Sequence, residues 1–273
     1  MTPEHLAPQA GRTVLTTWRP RTIFFDVGDT LMTVRRSFDQ VLEEVSQQLA
    51  LELPASVRAG LAVHVDACVT RRTHRRQPCT FPPSASQAFW FETYHGFLAH
   101  VLADADARRI EHAVREVFSS PSGYMLCDDT LPTLARLRAD GYRLGIISNW
   151  EAWLPNLLDA TGIALYFDTI VISGLCEIEK PDPRIFQLAL EEGGYQPEDV
   201  VYVGDRPAHD VEPPLAVGIT PILLERSGRY PDCRAPVRIT SLNDLPTTLQ
   251  TLRSHGVVVN ERWHGLEPSA EAE

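Results

Sequence analysis

Lysine is almost missing from this chain. Of its 25 basic residues, 24 are arginine and one is lysine, Lys180. Arginine stands wherever either cation serves, so the surviving ammonium marks a place where a compact point charge is required. Basic charge as a whole is short: the formal net charge is −11. That leaves no basic face for a nucleic-acid backbone, and no nucleic-acid partner is expected. Long apolar runs are lacking too. No stretch approaches the ~18 residues of a membrane span, and residues 1–21 hold no hydrophobic segment of a secretory signal. The expectation is a cytoplasmic protein without a membrane partner. The five cysteines (Cys68, Cys79, Cys127, Cys176, Cys233) are scattered, with no C-x-x-C pair. They read as reduced thiols, neither a disulfide framework nor a zinc site. What remains is ordinary globular composition, 44% hydrophobic and 22% charged over 273 residues, enough for one large domain or two modest ones.

Residues 1–20 carry Pro3, Pro8, Gly11 and Pro20 without a period and read as a tail, with a short strand near Thr13–Thr17. The run Ile23-Phe24-Phe25 then predicts a fully buried strand that stops at Asp26, with Gly28, Asp29 and Thr30 directly behind. From 36 to 119 the spacing turns helical. Val41, Leu42, Val45 and Leu49 form one stripe, and Ile110, Val114 and Val117 form another. Four helices with no strand between them predict a bundle inserted after the first strand. Its aromatic stripe (Phe89, Trp90, Phe91, Tyr94, Phe97) reads as bundle core rather than as a substrate box. The segment 71–83 (RRTHRRQPCTFPP) reads as a solvated connector; the alternative is a cationic loop, Arg71–Arg76, that meets an anionic substrate.

After Pro121 and Gly123 strand and helix alternate. Buried strands are predicted at YRLGIIS, DTIVIS, DVVYVG and GITPILLE, with helices between them. The pattern predicts an α/β fold, a doubly wound, Rossmann-like parallel sheet with an inserted α-helical cap. The expected division is a core of 21–34 and 121–250, a cap of 35–120, and a second tail from 251 to 273.

In such a sheet all strand C-termini lie on one edge, where ligands bind. Asp26, Ser148, Lys180 and Asp205 stand at or soon after strand ends, and Asp210 follows five residues later. The stretches FFDVGDTL, GIISN, EKPDP and VGDRPAHD, in this order, resemble the four motifs of the haloacid dehalogenase superfamily of hydrolases. Within it, the DVGDT opening, Trp90 and the Ser148-Asn149-Trp150 step are most similar to a phosphatase-like branch. The resemblance implies a phosphatase acting on a small phosphorylated substrate.

The residue chemistry agrees. A carboxylate, Asp26, can displace an alcohol from a phosphate ester, and water can then cleave the acyl phosphate. Two anions approach one another in that step, so a divalent cation is expected. Asp26, Asp205 and Asp210 are hard oxygen donors that suit Mg²⁺. The resemblance adds the backbone carbonyl of Gly28 as a ligand and assigns Ser148 and Lys180 to the phosphoryl oxygens. It has Thr30 and Asn149 orient the nucleophile loop and the phosphate. His209 reads as a solvent-exposed loop histidine.

One position departs from the pattern. Phosphatases of the superfamily usually carry an aspartate two residues after the nucleophile, where it protonates the leaving alcohol. Here Gly28 occupies that place and Asp29 comes one residue late. General acid catalysis contributes about 10²–10⁴-fold. Two alternatives therefore stay open: a carbon-attacking, dehalogenase-type hydrolase, and a non-catalytic protein that binds a phosphorylated ligand or partner.

Overall fold

The computed structural model describes residues 12–14, 20–226, 228–231, 233, 235–255 and 258–260. The chain enters through strand β1 (Arg12–Val14) and the buried strand β2 (Thr22–Phe25), then β3 (Met32–Val34). The cap helices follow: α1 (Phe38–Gln48), α2 (Ala55–His74), α3 (Pro83–Leu98) and α4 (Asp104–Phe118). The chain returns through β4 (Tyr124–Leu126), α5 (Thr130–Ala139), β5 (Arg143–Ser148), α6 (Leu154–Ala160) and β6 (Thr169–Ile172). Then come α7 (Ser173–Cys176), α8 (Arg184–Gly193), β7 (Val200–Gly204), α9 (Pro207–Asp210), α10 (Glu212–Ala216) and β8 (Thr220–Leu224). Strand β9 (Arg238–Ile239), helix α11 (Leu245–His255) and strand β10 (Val258–Asn260) complete the order.

Six strands form one parallel sheet in the order β6-β5-β2-β7-β8-β9. Side chains alternate between its faces. Ile23 and Phe25 pack with leucines of α5, α6 and α11 on one side. Phe24 packs with Ile185 and Phe186 of α8 on the other. Burial of both faces is why these strands are apolar without alternation. Beside Phe24, β5 carries Gly145; a Cβ there would lie 2.3 Å from the Phe24 ring.

The cap has its own core, built from Val41, Leu42, Leu61, Leu98, Ile110 and Val114 among others. Ser37 and Gln40 form a capping box that starts α1. The aromatic stripe divides: Phe89 and Tyr94 are buried, whereas Trp90 turns one side to a cavity facing the core. The reading of the whole stripe as bundle core is corrected to that extent.

Three further details differ from the sequence reading. Residues 71–74 belong to the last turn of α2, and the connector docks on the core instead of standing free in solvent. Cys79 and Thr80 are buried, because Glu179 accepts hydrogen bonds from the Cys79 amide (2.9 Å) and the Thr80 hydroxyl (3.1 Å). Helix α11 runs through position 250 to His255, since Leu245 and Leu249 belong to the sheet's core. Finally, β3 and β4 pair antiparallel beside the cap junction, each too short to show a period. The two expected tails lie mostly outside the described residues; within them β1 pairs antiparallel with β10. Among the described residues no helix is long and apolar enough to cross a membrane.

Candidate active site

Strands β5, β2 and β7 are neighbours, so the residues leaving their C-terminal ends converge. Asp26 continues the β2–β7 ladder by one bond, its amide donating to the Val203 carbonyl at 2.9 Å. The chain then turns tightly: the amides of Thr30, Leu31 and Met32 all point to the Val27 carbonyl. Asp29 takes φ 53°, a left-handed conformation that Asp tolerates better than most residues. On β7 the last residue is Gly204, and a Cβ there would lie 2.4–2.6 Å from the Asp210 carboxyl group. Glycine is what lets α9 fold Asp210 back against the strand.

The ion cluster is compact. The Lys180 ammonium lies 2.9 Å from Asp26 Oδ1 and 2.7 Å from Asp210 Oδ1, and donates to the Tyr202 hydroxyl at 2.7 Å. The Ser148 hydroxyl donates to the same Asp26 Oδ1 at 2.9 Å. Lys180 is only 3% exposed; its burial opposes the charge, but Asp210 and Asp26 outweigh this and raise its pKa. Burial pushes Asp26 above the ordinary carboxylate range, and Asp210 adds to this against the pull of Lys180. Asp205 is raised well above that range, by burial and then by the charges of Asp210 and Asp26.

Asp26, Asp205 and Asp210 each offer an oxygen within 4.8 Å of the others. Three carboxylates thus gather where one ammonium meets two of them, Asp26 and Asp210, while the nearby Arg206 guanidinium is held by Asp66 of the cap at 2.7 Å. An excess of buried negative charge carried on hard oxygens fits a divalent cation such as Mg²⁺. Within this set Asp210 is the most committed. Its Oδ1 takes Lys180 and Tyr202, and its Oδ2 takes the Arg206 amide at 2.9 Å. A carboxylate has about four acceptor directions, so one is left.

Other sequence-predicted residues are placed differently. The Asn149 side-chain amide donates to the Lys180 carbonyl (2.8 Å) and accepts from the Lys180 amide (2.7 Å). Both functional atoms are used, so Asn149 positions the lysine-bearing loop. Thr30 is fully buried and its hydroxyl has no hydrogen-bond partner among the described residues, while its carbonyl accepts from Arg226 at 2.9 Å. It contributes to the nucleophile loop through its backbone. His209 is half-buried on the one-turn helix α9, not in an exposed loop. Burial, then the charges of Arg206 and Lys180, lower its pKa to about 3. The Asp29 carboxylate is exposed and accepts from the Thr33 hydroxyl at 3.0 Å, away from Gly28. Gly28 itself has room: an added Cβ would meet only the Trp150 ring, at 3.6 Å.

Tyr202 and the Arg226–Asp129 pair escaped the sequence reading. Tyr202 is fully buried and its hydroxyl touches Lys180, Asp210 (3.1 Å) and the Ile147 carbonyl (2.9 Å). With one proton it can donate to only one of the last two at a time. The signal was a single polar handle in the otherwise apolar strand VVYVG. Arg226 grips Asp129 through two bonds of 2.7 and 2.8 Å while holding Thr30.

The profile of the haloacid dehalogenase-like hydrolases matches residues 20–218. The haloacid dehalogenase-like hydrolase domain-containing protein 3 of Danio rerio is 31% identical, over 84% of this chain and 96% of its own length. The glyceraldehyde 3-phosphate phosphatase of Methanopyrus kandleri is 28% identical, over 78% of this chain and 86% of its own. A magnesium-bound HAD-hydrolase of Bacillus subtilis shares the fold with a TM-score of 0.70 at 19% identity, covering 85% of this chain and 99% of its own. Dehalogenases are among the solved structures with the same fold. The six-stranded parallel sheet, the four motif stretches at its C-terminal edge and this coverage have one reading: the chain belongs to the haloacid dehalogenase-like hydrolase family.

Proposed function

We propose that the protein is a Mg²⁺-dependent phosphatase that hydrolyses a small phosphorylated substrate through an aspartyl phosphate on Asp26. The observation that carries this reading is the cluster of Asp26, Asp205 and Asp210, of which Asp26 and Asp210 also hold the Lys180 ammonium. A carbon-attacking hydrolase needs no such acidic set.

Both side-chain partners of Asp26, Ser148 and Lys180, hold Oδ1. Oδ2 is then the oxygen that attacks phosphorus, with the carboxylate's rotation already suppressed. Ser148 and Lys180 also face the transferring phosphoryl oxygens, and Lys180 offsets charge there. Asp26, Asp205, Asp210 and the Gly28 carbonyl would hold Mg²⁺, which when bound would lower the repulsion between carboxylate and phosphate. As the ester P–O bond breaks, the leaving oxygen carries its electron pair away and takes a proton from water, because position 28 offers none. Water then cleaves the acyl phosphate, releasing inorganic phosphate and restoring the Asp26 carboxylate.

The test follows phosphate release from p-nitrophenyl phosphate with and without Mg²⁺, beside calorimetric Mg²⁺ binding. Asp205→Asn removes one charge from a cation's ligand set and should weaken Mg²⁺ binding by about tenfold or more. Asp26→Asn should abolish turnover. Turnover that survives Asp26→Asn, or Mg²⁺ binding indifferent to Asp205→Asn, defeats the reading. A protein that binds Mg²⁺ and phosphate but turns over nothing is instead a phospho-ligand-binding member, the alternative that Gly28 supports.

A further inference from the structure

Between cap and core lies a cavity of about 400 Å³. Phe38, Trp90, Tyr94 and Phe118 form its cap wall, and Tyr124, Trp150 and Trp153 its core wall. The rings support one another. Phe38 and Phe118 lie 4.4 Å apart, Tyr124 and Trp150 5.1 Å, and Trp150 and Trp153 meet edge to face at 5.7 Å. The volume falls in the lower part of the ~300–1,000 Å³ range of small-molecule pockets. Trp150 belongs to both places, since it lines the cavity and also covers the space beside Gly28.

Five of the polar residues along the walls are already engaged inside the protein, which leaves Gln87 and the Tyr94 hydroxyl as polar groups beside the rings. Arg115 is bound to Glu111 at 2.8 Å, and the Ser119 hydroxyl donates to the Arg115 carbonyl at 2.8 Å. Glu151 accepts from Ser86 at 2.6 Å and from the Trp153 indole at 3.1 Å. Thr80 is shared by Ser173 and Glu179, and Asn149 is spent on the Lys180 backbone. A sugar or polyol placed here would turn most of its hydroxyls towards ring faces, with few polar groups to meet them, which is unfavourable. A flat apolar ring brings no such demand and gains ring-to-ring contacts.

We infer that this cavity holds the leaving group of the substrate, and that the leaving group is a neutral aromatic ring system, which makes the substrate an aryl phosphate monoester. This rests on the phosphatase reading above. The chemistry at position 28 agrees independently. When Asp26 Oδ2 bonds to phosphorus and the aryl P–O bond breaks, the electron pair leaves on an aryl oxide. The ring stabilises that oxide, and it takes its proton from solvent afterwards. An alkyl oxide is too basic to leave so readily without an acid. The aromatic cavity and the missing acid therefore select the same class of ester.

The experiment compares 1-naphthyl phosphate, glucose 6-phosphate and acetyl phosphate with Mg²⁺ present. Acetyl phosphate has an activated leaving group but no ring, so its turnover tests the phosphatase reading alone. The expected result is a KM for 1-naphthyl phosphate at least tenfold below that for acetyl phosphate, with glucose 6-phosphate the poorest substrate. Trp90→Ala should raise the 1-naphthyl KM about tenfold, or ~1.4 kcal/mol, relative to acetyl phosphate measured on the same variant. Trp90→Phe should recover most of that ratio, and taking ratios removes any general loss from folding damage. If acetyl phosphate is turned over but the three KM values are alike, or Trp90→Ala leaves the ratio unmoved, the inference is overturned. If nothing is turned over, the phosphatase reading fails, and calorimetry with the inert 1-naphthyl phosphonate still decides the cavity. Binding lost in Trp90→Ala and regained in Trp90→Phe upholds an aromatic ligand; no binding to the unmodified protein ends the proposal.

Discussion

Replacing Lys180 with arginine keeps the charge and should still disable the site. The ammonium carries three protons, and three acceptors converge on it: Asp26 Oδ1 at 2.9 Å, Asp210 Oδ1 at 2.7 Å and the Tyr202 hydroxyl at 2.7 Å. A point donor satisfies all three, whereas a planar guanidinium spreads its donors outward and needs more room. The position is 3% exposed, so the larger head group cannot escape into solvent. Overpacking of this kind costs about 1–3 kcal/mol. Losing one charge-assisted hydrogen bond costs about 1.5–3 kcal/mol more. Stability should fall by about 2.5–6 kcal/mol, and turnover by at least about tenfold, since 1.4 kcal/mol is a factor of ten. Lys180→Met separates charge from shape. It leaves Asp26 and Asp210 without their cation, and breaking a buried pair costs about 3–5 kcal/mol. Part of that loss should return on adding Mg²⁺, which meets the same excess charge. Urea unfolding with and without Mg²⁺, beside phosphate release, measures both effects. An arginine variant equal to wild type in stability and turnover would refute the reasoning from the lone lysine.

Two further outcomes follow from named contacts. Gly28→Asp fits the backbone, because its Cβ would stand 3.6 Å from Trp150; the new acid should raise alkyl phosphate turnover by about 10²-fold or more while changing p-nitrophenyl phosphate little, and equal gains on both substrates would show that another group already supplies the proton. Asp129 is pushed up by burial but held down to about 2 by the hydrogen bonds of Arg226, Ser241 and the Leu242 amide. A folded pKa below the unfolded value of ~3.9 adds stability that is fully present above that value and vanishes as pH falls through 2. The difference in unfolding free energy between wild type and Asp129→Asn should therefore be flat above about pH 5 and shrink by roughly 2–3 kcal/mol towards pH 2. A pH-independent difference would show that the carboxylate's charge is not what Arg226 holds.

What could be read from the chain alone is what local spacing and residue type control. Ile23-Phe24-Phe25 had to be a strand covered on both faces, and its abrupt end placed Asp26 on the ligand-binding edge. Four helices without a strand between them foretold the bundle. The solitary lysine pointed to an ammonium that arginine could not replace. Tasks set by partners far apart in sequence were not legible. Asn149 was expected to orient the nucleophile loop and the phosphate; that its amide closes on the Lys180 backbone, 31 residues away, was not legible. The connector after α2 looked free until Thr80 met Glu179, 99 positions on. Trp90 looked like bundle core, yet the chain's return as Tyr124 and Trp150 leaves a space for it to line. Helical and strand periods follow from each residue's neighbours along the chain. Where a hydrogen bond lands, and which ring is left facing a cavity, follows only once the crossovers have brought distant segments to within a few ångströms.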